Sequence, residues 1–312
     1  MKMIIEVTGL VKRYKDYTAV DGVNLSIQEG EIFGLLGPNG AGKSTTMNTL
    51  LGLLKINNGT VKMFGKDFSK HAKEIKQSVG YVPQDLAFFE TLSAIDNVTY
   101  WGKLYGLRGK ELHTSVQEAL EFTGLWDRRK GIAKTFSGGM KRRLNIACAI
   151  VHKPRILFMD EPTVGVDPQS RNNILESIKI MNQNGMTIIY TTHYMEEIEA
   201  ICERVAIMDF GKVIALGSID ELIDSISTGT RLSLELASNT DAAISLIKEL
   251  EGVTACNNIN GVLDIHLEKE ERFLTGIMEN LIRKEFKIKS MTLEKPNLET
   301  VFLQLTGKKL RD

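Results

Sequence analysis

Gly37-Pro38-Asn39-Gly40-Ala41-Gly42-Lys43-Ser44-Thr45 matches in full the spacing of a loop that cradles nucleotide phosphates. Small residues let backbone N–H groups turn inward on a β-phosphate, and the N-terminus of a following helix adds partial positive charge. Lys43 then reaches the β- and γ-phosphates, and the Ser44 hydroxyl can ligate Mg²⁺. An ordinary glycine turn would account for the glycines, but it has no use for Lys followed by Ser. The flanks supply the required context. Glu31-Ile32-Phe33-Gly34-Leu35-Leu36 suits a buried strand, and residues 44–51 read as a helix.

Further along, Ile156-Leu157-Phe158-Met159-Asp160-Glu161-Pro162 is an apolar strand that ends in two carboxylates, at the sheet edge where α/β proteins bind ligands. Strand alternation predicts that the two acids point to opposite sides and do different work. Asp160 is the candidate to hold Mg²⁺ with Ser44 through water, and Glu161 the candidate to polarise a water attacking the γ-phosphate. Phe136-Ser137-Gly138-Gly139-Met140, before Lys141-Arg142-Arg143-Leu144, reads as a helix N-terminus with Ser137 as cap and two glycines baring the amides. It is either a plain capped helix or a second anion site. One nucleotide has no need of two, so a second site would serve a nucleotide held by another subunit.

Around these segments the chain alternates. Residues 4–11 and 19–27 are strand-like and open the chain with a hairpin. Apolar residues recur at helical spacing from Ser93 to Leu125, which predicts a helical insert over about 86–150. Residues 155–159, 186–190 and 204–208 look like buried strands separated by helices, the pattern of a largely parallel sheet. A shift in composition marks a linker at 227–230, dividing a domain over 1–226 from one over 231–312. The second domain reads strand, helix, strand, strand, helix, strand, the order of a ferredoxin-like sandwich. Asn297 after Pro296 is placed to cap a closing helix over 298–305.

With 312 residues the chain is long enough for two domains, and 39 basic against 39 acidic residues leave no polyanion-binding footprint. Nucleic acid is therefore not expected as a partner. The three cysteines have no metal-ligand spacing and fit a reducing cytosol. His71, His113, His152 and His266 have no carboxylate or Cys partner at ligand spacing and read as structural or exposed. No apolar run approaches the roughly 18–20 residues that span a bilayer, and the early Glu6 argues against a signal peptide. A membrane role would need its span from another polypeptide.

Together these segments resemble the ATP-binding cassette (ABC) superfamily, over roughly residues 4–223. Residues 37–45 resemble its Walker A loop, Gln84 in Tyr81-Val82-Pro83-Gln84-Asp85 its Q-loop, and residues 136–140 its signature. Residues 156–161 resemble Walker B with the catalytic Glu, Val164-Gly165-Val166-Asp167 the D-loop, and His193 in Thr191-Thr192-His193 the switch histidine. The signature departs from the usual pattern at Phe136 and Met140 but keeps Ser137-Gly138-Gly139. The resemblance implies a P-loop NTPase fold: a RecA-like sheet, an antiparallel β subdomain and a helical insert, with the small α+β ferredoxin-like domain appended. It implies ATP and Mg²⁺ as cofactors. Gln84 would touch Mg²⁺ and the attacking water, His193 would donate to the γ-phosphate, and Tyr14 would stack on adenine.

The same resemblance implies the ATPase subunit of a transporter. Two copies would close head to tail, each nucleotide held by residues 37–45 of one and 137–139 of the other, on the cytoplasmic face of a membrane beside a separate integral-membrane permease. The ending Pro296-Asn297-Leu298-Glu299-Thr300-Val301-Phe302-Leu303 resembles ATPases of two-component, ABC-2-type exporters. A helical stretch after Gln84 carrying Leu86, Phe88, Phe89 and Leu92 would either form a groove for a permease helix or close the insert's own core. The alternatives are a soluble ABC ATPase on ribosomes or DNA, usually with two cassettes or a long coiled-coil insertion, and a regulatory module without turnover. The first lacks its sequence features here, and Glu161 with His193 weighs against the second.

Overall fold

Apolar alternation in the first thirty residues builds an antiparallel hairpin of β1 (Met3–Tyr14) and β2 (Tyr17–Gln28), with Ile5, Val7, Val23 and Ile27 buried. The strands outrun the expected ones, leaving only Lys15 and Asp16 for the turn and setting Tyr14 opposite Tyr17. β3 (Ile32–Leu36) is buried at all five positions, as a strand covered on both faces must be, and feeds α1 (Lys43–Leu50). β4 (Asn58–Met63) and β5 (Lys66–Asp67) complete an antiparallel sheet of order β2-β1-β4-β5. This computed structural model describes residues 2–226, 230–237, 240–259, 261–268, 272–294 and 296–307.

Next come α2 (Phe68–Lys76), β6 (Val79–Val82), the helices α3 (Ala94–Leu104), α4 (Gly109–Phe122) and α5 (Gly138–Ile150), then β7 (Ile156–Asp160) and α6 (Pro168–Gln183). β8 (Thr187–Thr192), α7 (Met195–Ile201), β9 (Arg204–Asp209) and β10 (Lys212–Ser218) follow. The central sheet has the order β10-β9-β3-β8-β7-β6, parallel except for the edge strand β10. Because β3, β7 and β8 are parallel neighbours, the segments after them emerge at one edge. α1 buries Met47 and Leu50 in a core shared by both sheets. The insert has a core of its own, with Val98 of α3, Val116 and Leu120 of α4 and Leu144 of α5.

One expected helix is absent: residues 83–92 form an irregular connection. Leu86, Phe89 and Leu92 imitate helical spacing, but neighbouring side chains capture the backbone there. Asn97 accepts from the Phe89 N–H at 2.8 Å and donates to the Phe89 and Ser93 carbonyls at 3.0 Å each, while the Trp101 indole donates to the Ala87 carbonyl at 3.1 Å. Phe88 packs against the helical core, whereas Leu86, Phe89 and Leu92 are exposed.

The chain divides into two compact units between Ile219 and Asp220, at the head of α8 (Ile219–Ser225). Of the expected linker, residues 227–229 lie outside the described ones, and Thr230 opens the next strand. The second unit holds β11 (Thr230–Leu236), α9 (Thr240–Lys248), β12 (Val253–Ile259), β13 (Val262–Leu267), α10 (Arg272–Arg283), β14 (Ile288–Glu294) and α11 (Leu298–Thr306). Its antiparallel sheet has the order β12-β13-β11-β14, the ferredoxin-like arrangement. Leu232, Leu234, Leu263 and Ile265 pack with Ala243 and Ile247 of α9 and Ile277 and Leu281 of α10. His266 does have a carboxylate neighbour, Asp264 Oδ2 at 3.5 Å, because residues two apart on a strand share a face.

Asn297 accepts from the Thr300 N–H at 3.0 Å, and Thr300 Oγ1 accepts in return from the Asn297 N–H at 3.4 Å. Asn297→Ala is expected to cost about 1 kcal/mol of this unit's stability in chemical denaturation. An unchanged curve would show that burial of Leu298, Val301 and Phe302 holds α11 without the cap.

Candidate nucleotide site

The loop between β3 and α1 demands two of its glycines. A Cβ at Gly37 would stand 2.3 Å from the Met208 carbonyl oxygen, and one at Gly42, where φ is +100°, would stand 2.5 Å from that of Ala19. So constrained, the loop folds back over Lys43, whose side chain is only 4% exposed. Its Nζ donates to the carbonyls of Gly37 at 2.7 Å and Pro38 at 3.2 Å, and lies 3.5 Å from Glu161 Oε1. Burial pulls the ammonium below the usual lysine range, and the charges of Glu161 and Asp160 oppose it.

β8, the strand between β3 and β7, supplies the next contact. Asp160 Oδ1 accepts from Ser44 Oγ at 3.1 Å and from Thr191 Oγ1 at 2.6 Å. Burial pushes the Asp160 carboxyl up, against the downward pull of those hydroxyls. A buried carboxylate beside a serine hydroxyl offers hard oxygen donors and a charge in want of compensation, so these residues fit Mg²⁺.

The predicted opposition of Asp160 and Glu161 does not occur. β7 ends at Asp160, and Glu161 turns into the left-handed region at φ 46°, with its N–H donating to the Thr191 carbonyl and hydroxyl at 3.1 Å each. Both carboxylates consequently face the phosphate loop. A non-glycine residue held there is strained, and the bonds to Thr191 keep it in place. Gln84 Nε2 donates to Glu161 Oε2 at 3.4 Å, and His193 Nδ1 lies 3.4 Å from Glu161 Oε1 without hydrogen-bond geometry. Lys43, Gln84 and His193 thus converge on one carboxylate.

A cleft of about 250 Å³ opens above, lined by residues 39–45, Gln84, Glu161, Tyr14 and Tyr17. Tyr17 and Thr191 join the site although sequence motifs give neither of them a role. Tyr17 is legible in hindsight as the second ring across a two-residue turn from Tyr14. Thr191 is a hydroxyl at the C-terminal end of an apolar strand, but its task depends on which strand lies beside it.

Ser137, Gly138 and Gly139 do not line that cleft. Ser137 caps α5 by accepting from the Met140 N–H at 3.3 Å, and it stays exposed with Gly138. Gly139 is buried against α6, where a Cβ would stand 2.5 Å from Ser170 Oγ, and Asp167 caps that helix by accepting from the Ser170 N–H at 2.9 Å. The amide-bearing end of α5 therefore abuts the Asp167 loop and lies outside the cleft lined by residues 39–45.

The family model for ABC transporters matches residues 20–164. The linearmycin resistance ATP-binding protein LnrL of Bacillus subtilis is 42% identical over 99% of this chain and 100% of its own length. The daunorubicin/doxorubicin resistance ATP-binding protein DrrA of Streptomyces peucetius is 36% identical over 97% and 92%, and the Nod factor export ATP-binding protein I of Cupriavidus metallidurans is 36% identical over 100% of both. Among solved structures, cbiO1 of Clostridium perfringens, part of the ABC transporter complex cbiONQ, superposes with a TM-score of 0.65 at 30% identity, covering 73% of this chain and 95% of its own. A dimeric ATP-binding cassette in a post-hydrolysis state with ADP and Pi superposes with a TM-score of 0.64 at 26% identity, covering 69% and 98%. Likeness that runs from end to end, and not through the phosphate loop alone, means that the chain belongs to the ABC transporter family, among its ATP-binding proteins.

Proposed function

We propose that this chain hydrolyses ATP to power export through a separate membrane permease. The observation that carries it is the convergence of Lys43, Gln84 and His193 on Glu161 beside the phosphate loop. Lys43 neutralises the β- and γ-phosphates, Glu161 takes the proton of the attacking water, Gln84 orients that water, and His193 donates to the γ-phosphate. Tyr14 stacks on the adenine. Ser44 and Asp160, with Gln84 beside them, would hold Mg²⁺, which when bound spreads the phosphates' negative charge. The start of α5 at 137–139, exposed at Ser137 and Gly138, binds the γ-phosphate held by a second copy, which the dimeric cassette among the similar structures supports. Export is supported by relatives named for drug resistance and Nod factor export.

No helix among the described residues is long and apolar enough to cross a membrane. The chain works at the cytoplasmic face, and an apolar groove of about 310 Å³ between Leu51, Tyr81, Ala87, Trp101 and Cys148 receives a helix of the permease. Exposed Leu86 and Phe89 flank Ala87 on the adjoining connection. Phe89→Ala and Leu86→Ala are expected to cut transport by about tenfold while basal ATP hydrolysis stays within twofold. Loss of both together would overturn the docking role. Copurification from membranes with a multi-span protein is the second check; recovery with ribosomes and no membrane protein would overturn the transport reading.

A further inference from the structure

Arg142 lies on α5, one turn past the exposed Ser137 and Gly138, and its side chain is buried. No carboxylate pairs with it among the described residues. Its guanidinium instead donates from Nη1 to the carbonyls of Pro83 at 3.2 Å and Gln84 at 2.9 Å, and from Nη2 to that of Val164 at 3.5 Å. Those oxygens belong to two different loops, one carrying Gln84 and the other following Glu161. Asn145, three residues on and on the same helix face, also donates to the Pro83 carbonyl at 3.3 Å and accepts from the Ala87 N–H at 2.9 Å. α5 therefore grips the main chain of the Gln84 loop from one side.

A buried cation is costly; among the described residues its hydrogen bonds all go to main-chain carbonyls, and the Asp85 carboxylate supports it as a neighbouring charge without an ion pair. A planar fork suits the task, because its donors diverge in fixed directions toward both loops. The Gln84 side chain in turn reaches Glu161 at 3.4 Å, a contact that needs its backbone held still.

We propose that Arg142 is the positioning residue through which α5 sets Gln84 against Glu161, an inference that rests on the catalytic reading above. It does not line the nucleotide cleft and acts on Gln84 through the backbone of that residue's loop. Since α5 begins at the amides that take the second copy's γ-phosphate, a shift of that helix on anion binding is delivered to Gln84 at this chain's own site.

A double-mutant cycle on the purified full chain tests this, reading kcat and KM for ATP with Mg²⁺ present. Arg142→Gln is expected to lower kcat about tenfold with KM within twofold, and to change kcat less than twofold in a Gln84→Ala background. Equal losses in both backgrounds, or a raised KM with kcat unchanged, would overturn the proposal. Thermal unfolding checks that each variant folds. Should Arg142→Gln not fold, Arg142→Lys carries the test: a point charge cannot serve both loops, so a smaller kcat loss that also vanishes with Gln84→Ala is expected, and a loss that persists overturns it. Glu161→Gln in the same assay separates the two levels. Wild-type turnover there would sink the catalytic reading itself, whereas an inactive Glu161→Gln with additive Arg142 and Gln84 effects would sink only the positioning role.

Discussion

Glu161→Gln is expected to lower phosphate release by about 10²- to 10⁴-fold while ATP still binds. The amide has the shape of the carboxylate, so its oxygen can still accept from Lys43 and its neighbours keep their places. What it loses is the capacity to take a proton. The backbone is already committed to φ 46° by the two bonds to Thr191, so a side-chain change of equal size has no reason to release it. With closure intact and hydrolysis blocked, ATP should accumulate in a dimer of two chains, visible by size-exclusion chromatography with ATP but not with ADP. Phosphate release equal to that of the unaltered chain would remove Glu161 from the chemistry.

Lys43→Ala should act one step earlier. The buried ammonium donates to two carbonyls of its own loop and lies beside Glu161, and a stronger acceptor would displace the carbonyls. Phosphate oxygens are such acceptors. Truncating one partner of a buried charged contact costs about 2–5 kcal/mol, which corresponds to a loss of ATP affinity of about thirtyfold at the lower end and of several thousandfold at the upper end. Calorimetric titration should therefore record little or no ATP binding at concentrations that saturate the unaltered chain, and ATP-dependent dimerisation should vanish with it. Undiminished affinity would show that the loop amides alone hold the phosphates.

Local chemistry carried most of the fold. The hairpin, the loop and its helix, the strand ending in Asp160 and Glu161, the Ser137 cap and the Asn297 cap all follow from residues within a few positions of one another. The failures are equally physical. Residues 86–92 have helical apolar spacing, but Asn97 and Trp101, remote from that pattern, take up the backbone groups a helix would need. The alternation rule separated Asp160 from Glu161 because nothing nearby announces that β7 stops between them. Tyr17 carries no motif signal in the sequence, because its cleft exists only once β1 and β2 pair at Tyr14 and Tyr17.

By itself, then, the sequence determined the phosphate-binding chemistry, since a loop that small, ending in Lys and Ser, has its function written in covalent neighbours. Tertiary structure alone decided how that chemistry is assembled. Strand order placed β8 between β3 and β7, and so gave Thr191 the task of holding Asp160 and bending Glu161 back toward Lys43. It also lodged Arg142 beneath the Gln84 loop, 58 residues away in sequence. Hydrogen bonds between segments so distant depend on which strands lie side by side, and that is a property of the packed core and not of any local run of residues.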